Sequence, residues 1–491
     1  MGYPLPRKGL QPPARPSSLV IRPESRLTAL PLPRSAVTAL RTAAPYVVAL
    51  ACAACGVAAS GEPQWPPTAK KWYDRAQSSY RQADIEDAHV AVENALRLMP
   101  NQREVRVLAA HVALARLDYD RAIQLLEGID SSDARAIRGR ALWYSNRTER
   151  AADELEKLLA DPEVRDPWAA ETVKLARRGA GREPFKMSGG LLAVSEMPHV
   201  NASSLIVPLE VNGDPALALI ATNVPEAVID SSGGAEPSWL SLRFAERVEV
   251  DDVPALAQDL SGVSRQLNTP IKMLLGVNVL RHLRPTVDHA GSQFVVRTFD
   301  PPPPPQATTI KLSYLRGGGM IMRSALSAEE SAPLASLLVD TSMVFPLALD
   351  DSGWQKAGVA PSELKPVPSA GSLKQGVVSL MRIGAFEVPQ VPGVSGASTA
   401  ELEKNLGVDL DGFVGAGLLA AFRVTLVDDG RTMWIEDMPA MSAPSPAEES
   451  GVETPLELNP SLGEPTPMEP LEGAPQPGGE MDPTVGSGRS K

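Results

Sequence analysis

The sequence predicts a multidomain protein in which an all-α helical-repeat region precedes a mainly-β, two-lobed domain. Three observations carry this. Hydrophobic spacing is helical from about Ala69 to Arg178, it becomes strand-like from Leu205 onward, and the strand-rich part contains a copy of itself. Length agrees, since 491 residues exceed what one hydrophobic core organises and point to about three domains.

Residues 1–36 are rich in proline and arginine and carry no helical or strand period, which predicts a disordered leader. Residues 37–60 have a basic flank at Arg41, an uncharged run from Ala43 to Ser60 and small residues at its exit, the layout of a secretory signal. A translation start nearer Arg34 would give that signal its usual position. Cys52 and Cys55 follow small residues and are candidate lipidation sites, although alanine or cysteine stands three positions upstream instead of the usual leucine. The run is also near the minimum length for a membrane anchor, so cleavage, lipidation and anchoring are alternatives. Each puts the folded part outside the cytoplasm, in the envelope or periplasm, with membrane attachment only through the N-terminus.

From 61 to 180 the spacing predicts paired helices. Asp84-Ile85-Glu86-Asp87-Ala88, Asp118-Tyr119-Asp120-Arg121-Ala122 and Arg147-Thr148-Glu149-Arg150-Ala151 each follow one helix and open the next. Pro100 and Pro162 stop the second helices, because a proline ring clashes with the preceding turn and offers no N–H. These three units, one of them short, resemble tetratricopeptide repeats, in which a small residue lets paired helices approach closely. The resemblance implies a peptide or protein ligand. A helical spacer docked onto the next domain is the alternative.

Arg177 to Arg182 reads as a linker. Strand-like runs from Leu205 to Val211 and from Ala216 to Ile220 flank Asn212-Gly213, two residues that accept positive φ, which predicts a hairpin. The first lobe spans 200–299, Pro301 to Pro305 make a stiff connector, and the second lobe spans 310–438. Residues 439–491, rich in Pro, Glu, Gly and Ser, predict a disordered acidic tail.

The internal copy is legible residue by residue. Leu337-Leu338-Val339 runs into Asp340-Thr341-Ser342 and resumes apolar at Val344, while Leu217 to Ile220 runs into Ala221-Thr222-Asn223 and resumes at Val228-Ile229. Ser241-Leu242, Glu249-Val250 and Val253-Pro254 match Ser379-Leu380, Glu387-Val388 and Val391-Pro392 without gaps. Leu274-Leu275-Gly276, Leu280, Arg284, Thr286 and Gly291 match Phe413-Val414-Gly415, Leu419, Arg423, Thr425 and Gly430. One insertion of about 19 residues in the second copy explains nearly all the difference, and it includes Ser369 to Gly376, a candidate flap.

The two copies resemble the lobes of retropepsin-like aspartic proteases. The resemblance implies that each lobe supplies one bend and that two aspartates face each other, one ionised to activate water and one protonated to polarise the scissile carbonyl. It puts Asp340 in the catalytic position, Thr341 and Thr222 in positions that brace the bends, and Gly276 and Gly415 beneath them. Ala221 stands where the second aspartate belongs and can neither hold nor relay a proton. Asn223 and Ser342 replace both bend glycines. Asp230 and Asp350 lie about ten residues past the bends and are poor substitutes. Loss of an acid–base partner costs about 10²–10⁴ in rate. The sequence therefore favours a catalytically impaired, peptide- or protein-binding pseudoprotease; an active endopeptidase that pairs two copies of Asp340 through homodimerisation is the alternative.

Composition narrows the field further. A net charge of −12 and a pI near 5.1 disfavour nucleic acid as the main partner. The two cysteines precede the folded part, and the five histidines are scattered, so neither a metal nor another cofactor is expected. Gly415-Ala416-Gly417 imitates a dinucleotide loop, yet it aligns with Gly276-Val277-Asn278, which keeps one glycine. Oligomeric state is left open.

Overall fold

The computed structural model describes residues 65–437 apart from 199, 201–203, 368–371 and 397–398. The leader, the apolar run with Cys52 and Cys55, the acidic tail and the tip of the candidate flap lie outside the described residues. Among those described, no helix is long and apolar enough to cross a membrane.

The N-terminal part is helical: α1 (Pro67–Arg81), α2 (Ile85–Leu98), α3 (Arg103–Ala115), α4 (Tyr119–Leu125), α5 (Ser132–Tyr144), α6 (Thr148–Leu159) and α7 (Pro167–Arg178). Each helix packs on the next. Starts are fixed by short polar side chains: Asp84, Asp118, Ser131 and Asp166 accept from the backbone N–H three residues on, capping α2, α4, α5 and α7. Ala88, Ala122 and Ala151 are fully buried, so nothing larger than a methyl group keeps the helices apart there. Arg177 and Arg178, expected in a linker, complete α7.

The first lobe contains β1 (Lys186–Gly189), β2 (Leu192–Glu196), β3 (Ile206–Val211), β4 (Asp214–Ile220), β5 (Ala227–Asp230), β6 (Ser238–Phe244), β7 (Val248–Gln258), α8 (Ser261–Leu267), β8 (Ile271–Leu275), α9 (Val277–Leu283), β9 (Thr286–Asp288) and β10 (Gln293–Arg297). Strands β7-β5-β8-β4-β3-β6 lie side by side, and β6 pairs back onto β7, closing a six-stranded barrel. β3 and β4 form the hairpin around Asn212-Gly213. The lobe begins earlier than the expected residue 200, because β1 pairs with β7 and β2 with β10. Those strands are mostly exposed on one face, which hides them from a hydrophobic-run reading.

The second lobe contains β11 (Thr308–Lys311), β12 (Ser313–Leu315), β13 (Gly319–Ser324), β14 (Ala335–Asp340), β15 (Leu347–Leu349), α10 (Asp351–Lys356), β16 (Lys365–Pro366), β17 (Lys374–Ile383), β18 (Phe386–Ser395), α11 (Ala400–Leu406), β19 (Gly412–Gly415), α12 (Ala416–Leu419), β20 (Phe422–Val427) and β21 (Thr432–Asp437). Its strand order β13-β14-β19-β15-β18-β17 repeats the first lobe, with a bridge between Ala325 and Arg382 joining its ends. The inserted length forms α10 and β16, and β16 pairs with the start of β17.

A third sheet, β11-β21-β20-β9-β10-β2, takes three strands from each lobe and pairs β9 with β20 at its centre. There Thr286 and Thr425, matched in the sequence, meet hydroxyl to hydroxyl at 2.8 Å. Arg423 of the second lobe forms an ion pair with the buried Asp288 of the first.

The helices and the lobes share a seam. A helix leaves its last carbonyls without partners inside the helix, and here the lobes supply donors at or just past the ends of α1, α3 and α5, and a second donor to a last-turn carbonyl of α7 that the Gly179 N–H already reaches. Near α1, Asp409 N–H donates to Arg81 O at 2.6 Å and Ser336 Oγ to Gln82 O at 2.7 Å. Past α3, Arg431 donates to Leu117 O at 3.3 Å. The buried Arg281 donates to Tyr144 O at the end of α5, and Trp239 Nε1 donates to Leu175 O of α7 at 2.9 Å. Two of these donors are cations at helix C-termini, where the macrodipole favours positive charge. The helical array is therefore docked onto its own lobes.

Candidate functional site

The two bends meet where the lobes touch. Strand β4 delivers Ala221 and β14 delivers Asp340, and each runs parallel to the strand that leads into the matched glycine: Ile220 lies beside Leu275, just before Gly276, and Asp340 beside Gly415. Both bends close by the same pair of backbone bonds. Val224 N–H reaches Ala221 O and Met343 N–H reaches Asp340 O; then Val277 N–H reaches Val224 O and Ala416 N–H reaches Met343 O. Gly276 and Gly415 are required by close approach. A Cβ on Gly276 would stand 2.0 Å from Glu226 O, and one on Gly415 2.0 Å from Phe345 O.

Thr222 and Thr341 are buried and reach across the lobe boundary. Thr222 Oγ1 donates to Val339 O at 2.8 Å and accepts from Thr341 N–H at 3.1 Å. Thr341 Oγ1 donates to Ile220 O at 2.8 Å and accepts from Thr222 N–H at 3.1 Å. Three buried polar groups of each bend, the threonine N–H, its hydroxyl and one strand carbonyl, are thus satisfied by the other through four hydrogen bonds, so the lobes cannot part without exposing them. Beneath the threonines lies an apolar cavity whose walls come in matched pairs, among them Ile220 with Val339 and Leu280 with Leu419.

The residues flanking the threonines do not share this symmetry. Asp340 is half-buried, and its Oδ1 accepts from Ser342 N–H at 2.9 Å and Ser342 Oγ at 2.6 Å. Asn223 Nδ2 donates in turn to Ser342 Oγ at 3.4 Å. The two residues at the bend-glycine positions therefore touch each other, and one of them binds the remaining carboxylate. Ala221 is 1% exposed and packs with Ile206, Leu219 and Val228 inside the first lobe.

Other acids are engaged elsewhere. At Asp230 burial opposes ionisation, but bonds from Ser232, Lys272 and the Leu260 N–H prevail and hold its carboxyl well below the usual range. Asp350 caps α10 through Gly353 N–H, and burial raises its carboxyl. Among the described residues no group of three or more His, Cys, Asp or Glu side chains forms a metal site.

Sequence reading missed Glu226, five residues beyond Ala221. Its carboxylate is 3% exposed and accepts from Tyr144 Oη at 2.9 Å and Trp168 Nε1 at 2.8 Å, both in the helical array. Burial pushes its carboxyl up, and the bonds from Trp168 and Tyr144 offset this only in part. One signal existed: a charged residue inside the apolar stretch Val224-Pro225-Glu226-Ala227-Val228, where the second copy has Phe345. Helices α5 and α7 thus cover the chain leaving the first bend. The chain leaving the second bend is open, with Val344 and Phe345 each 43% exposed beside a groove bounded by Lys365, Gly376 and Val377.

No family model and no curated protein matches the sequence. Among solved structures, the chain is similar to the Arabidopsis OM64 TPR domain at 17% identity, over 23% of this chain and 95% of that one, with a TM-score of 0.21. It is also similar to a retropepsin-like aspartic protease from Rickettsia conorii at 18% identity, over 26% of this chain and 90% of that one, with a TM-score of 0.20.

Proposed function

We propose that this chain is an aspartic-protease-like pseudoprotease: a two-lobed fold kept for binding a peptide or protein, with a tetratricopeptide-like array fused to it and no efficient hydrolysis. The observation that carries the reading is the state of Asp340. It faces no second carboxylate at the matched position, and its own Oδ1 is taken by the Ser342 hydroxyl and N–H. Aspartic-protease chemistry needs two coupled carboxyls to share one proton and orient a water. A single carboxylate can accept a proton but cannot at the same time donate one to the carbonyl.

The homodimeric reading finds less support. Thr341 already spends its N–H and hydroxyl on Thr222 and Ile220 of its own chain, so a second copy would have to displace the first lobe. The apolar run at 43–60 supports an exported setting for the protein. The test is retention. Peptides from a mixed library should be held equally by the wild type and by Asp340→Asn, since the carboxylate serves chemistry and not affinity. Loss of retention in Asp340→Asn, or retention by neither, would count against the binding reading.

A further inference from the structure

We propose that the pocket enclosed by α5, α7, the β12–β13 turn and α11 binds the free carboxyl terminus of a peptide whose last residue is apolar, with the carboxylate on Arg316. The inference rests on the peptide-binding reading above and names where and how the peptide ends.

The pocket has a volume of about 180 Å³, and much of its wall is apolar, from Leu315, Leu338, Leu402 and Leu406. Its charged lining is two guanidinium groups, with no carboxylate. The guanidinium of Arg140 lies over the Trp168 ring at 4.4 Å and is bonded to Asp166 at 2.9 Å, so its charge is largely engaged. Arg316 is exposed and has no carboxylate within 4.0 Å among the described residues, although its charge reaches the neighbouring Asp133 and adds to the bond from His111 in lowering that carboxyl. Glu226 lies close by but is bound by Tyr144 and Trp168.

The turn that carries Arg316 is wedged in place. Arg316 itself has φ +50°, and Gly317, at +82°, leaves space that the Tyr144 ring fills; a Cβ there would stand 2.3 Å from the ring. A Cβ on Gly318 would stand 2.4 Å from Pro225. The helical array and the first lobe thus grip the turn from two sides, which fixes the backbone from which Arg316 extends, so that only its side chain is left to order on an anion.

A guanidinium over an apolar chamber suits a carboxylate carried on an apolar body. The source is a peptide because of what adjoins the chamber. At Arg316 and Leu406 the pocket meets a groove of about 870 Å³ between α1, α3 and α11, which offers room for preceding residues. That groove is mixed in charge; its Asp133 is held by His111. Such a lining suits a polar main chain without choosing one sign of side chain.

The experiment uses the full chain and fluorescein-labelled octapeptides that end in leucine and are randomised elsewhere, as free acids or as amides, read by fluorescence polarisation. Free acids should bind about tenfold or more tightly than amides. Arg316→Ala should erase that preference with unchanged thermal stability, and Arg316→Lys should restore part of it. Equal binding of acid and amide, an undiminished preference in Arg316→Ala, or no binding of either peptide would overturn the proposal. N-acetyl-leucine competing as well as the peptide would replace the peptide by a free acid and overturn it too. Equal binding of acid and amide without cleavage would remove this site yet leave the pseudoprotease reading, whereas cleavage of both peptides would remove that reading instead.

Discussion

At matched points of the two lobes, Thr222 and Thr341 exchange the same hydrogen bonds, while Ala221 is buried among apolar side chains and Asp340 reaches toward solvent. The neighbours diverge as well: Glu226 is sealed under Tyr144 and Trp168, and its counterpart Phe345 is exposed. The comparison separates two kinds of constraint. The threonines hold the lobes together and the glycines beneath them let each bend close on its own lobe, and both copies keep them. A carboxylate at the bend is not needed for these contacts, and one copy lacks it.

The comparison can be broken or sharpened in four ways. The largest effect belongs to the glycines. Gly276→Ala and Gly415→Ala both drive a methyl group into a backbone carbonyl, so each should cost about 3 kcal/mol or more, and to a similar extent, by urea denaturation. A large cost in one lobe only would mean that the bends are not equivalent.

Next come the threonines. Thr222→Val keeps the shape but orphans Val339 O and Thr341 N–H, and should cost about 2–4 kcal/mol. Thr341→Val should match it, and the double variant should cost less than the sum, because the two share partners.

Glu226 gives a smaller effect with a defined sign. Its folded-state carboxyl is raised by burial, so the folded protein keeps a proton that the unfolded chain has released. The stability this provides is present below the ordinary glutamate range and lost as pH rises through the raised value. Glu226→Gln should flatten that fall in urea midpoints measured between about pH 4 and 7. Asp350, also raised by burial, supplies a remainder of the same sign. Unchanged pH dependence in Glu226→Gln would mean that the carboxylate is not sealed by the array.

The smallest effect is Ser342→Ala. It removes one hydroxyl from a partly exposed carboxylate and should change stability by no more than about 1 kcal/mol.

Much of the architecture was legible because it rests on local rules. Asp84 and Asp118 mark helix starts, since a short acceptor side chain satisfies free N–H groups in any context. The matched residues located the bends and also Thr286 and Thr425, whose contact lies on the axis relating the lobes. What escaped reading depends on partners distant in sequence. β1 and β2 are edge strands with exposed faces, and Arg177-Arg178 resemble a linker until α7 is seen to continue through them. Glu226 and Arg316 look like surface charges in the sequence. Only the seam, built from carbonyls at the ends of α1, α3, α5 and α7, brings them against the array.

The most direct measurement is the rate of cleavage of a mixed peptide library by the full chain between about pH 3 and 7, where a carboxyl pair would titrate, with Asp340→Asn beside it. The expected result is the same negligible rate for both proteins at every pH. A wild-type rate that rises in part of that range and vanishes in Asp340→Asn would contradict the pseudoprotease reading and make Asp340 a working catalytic acid.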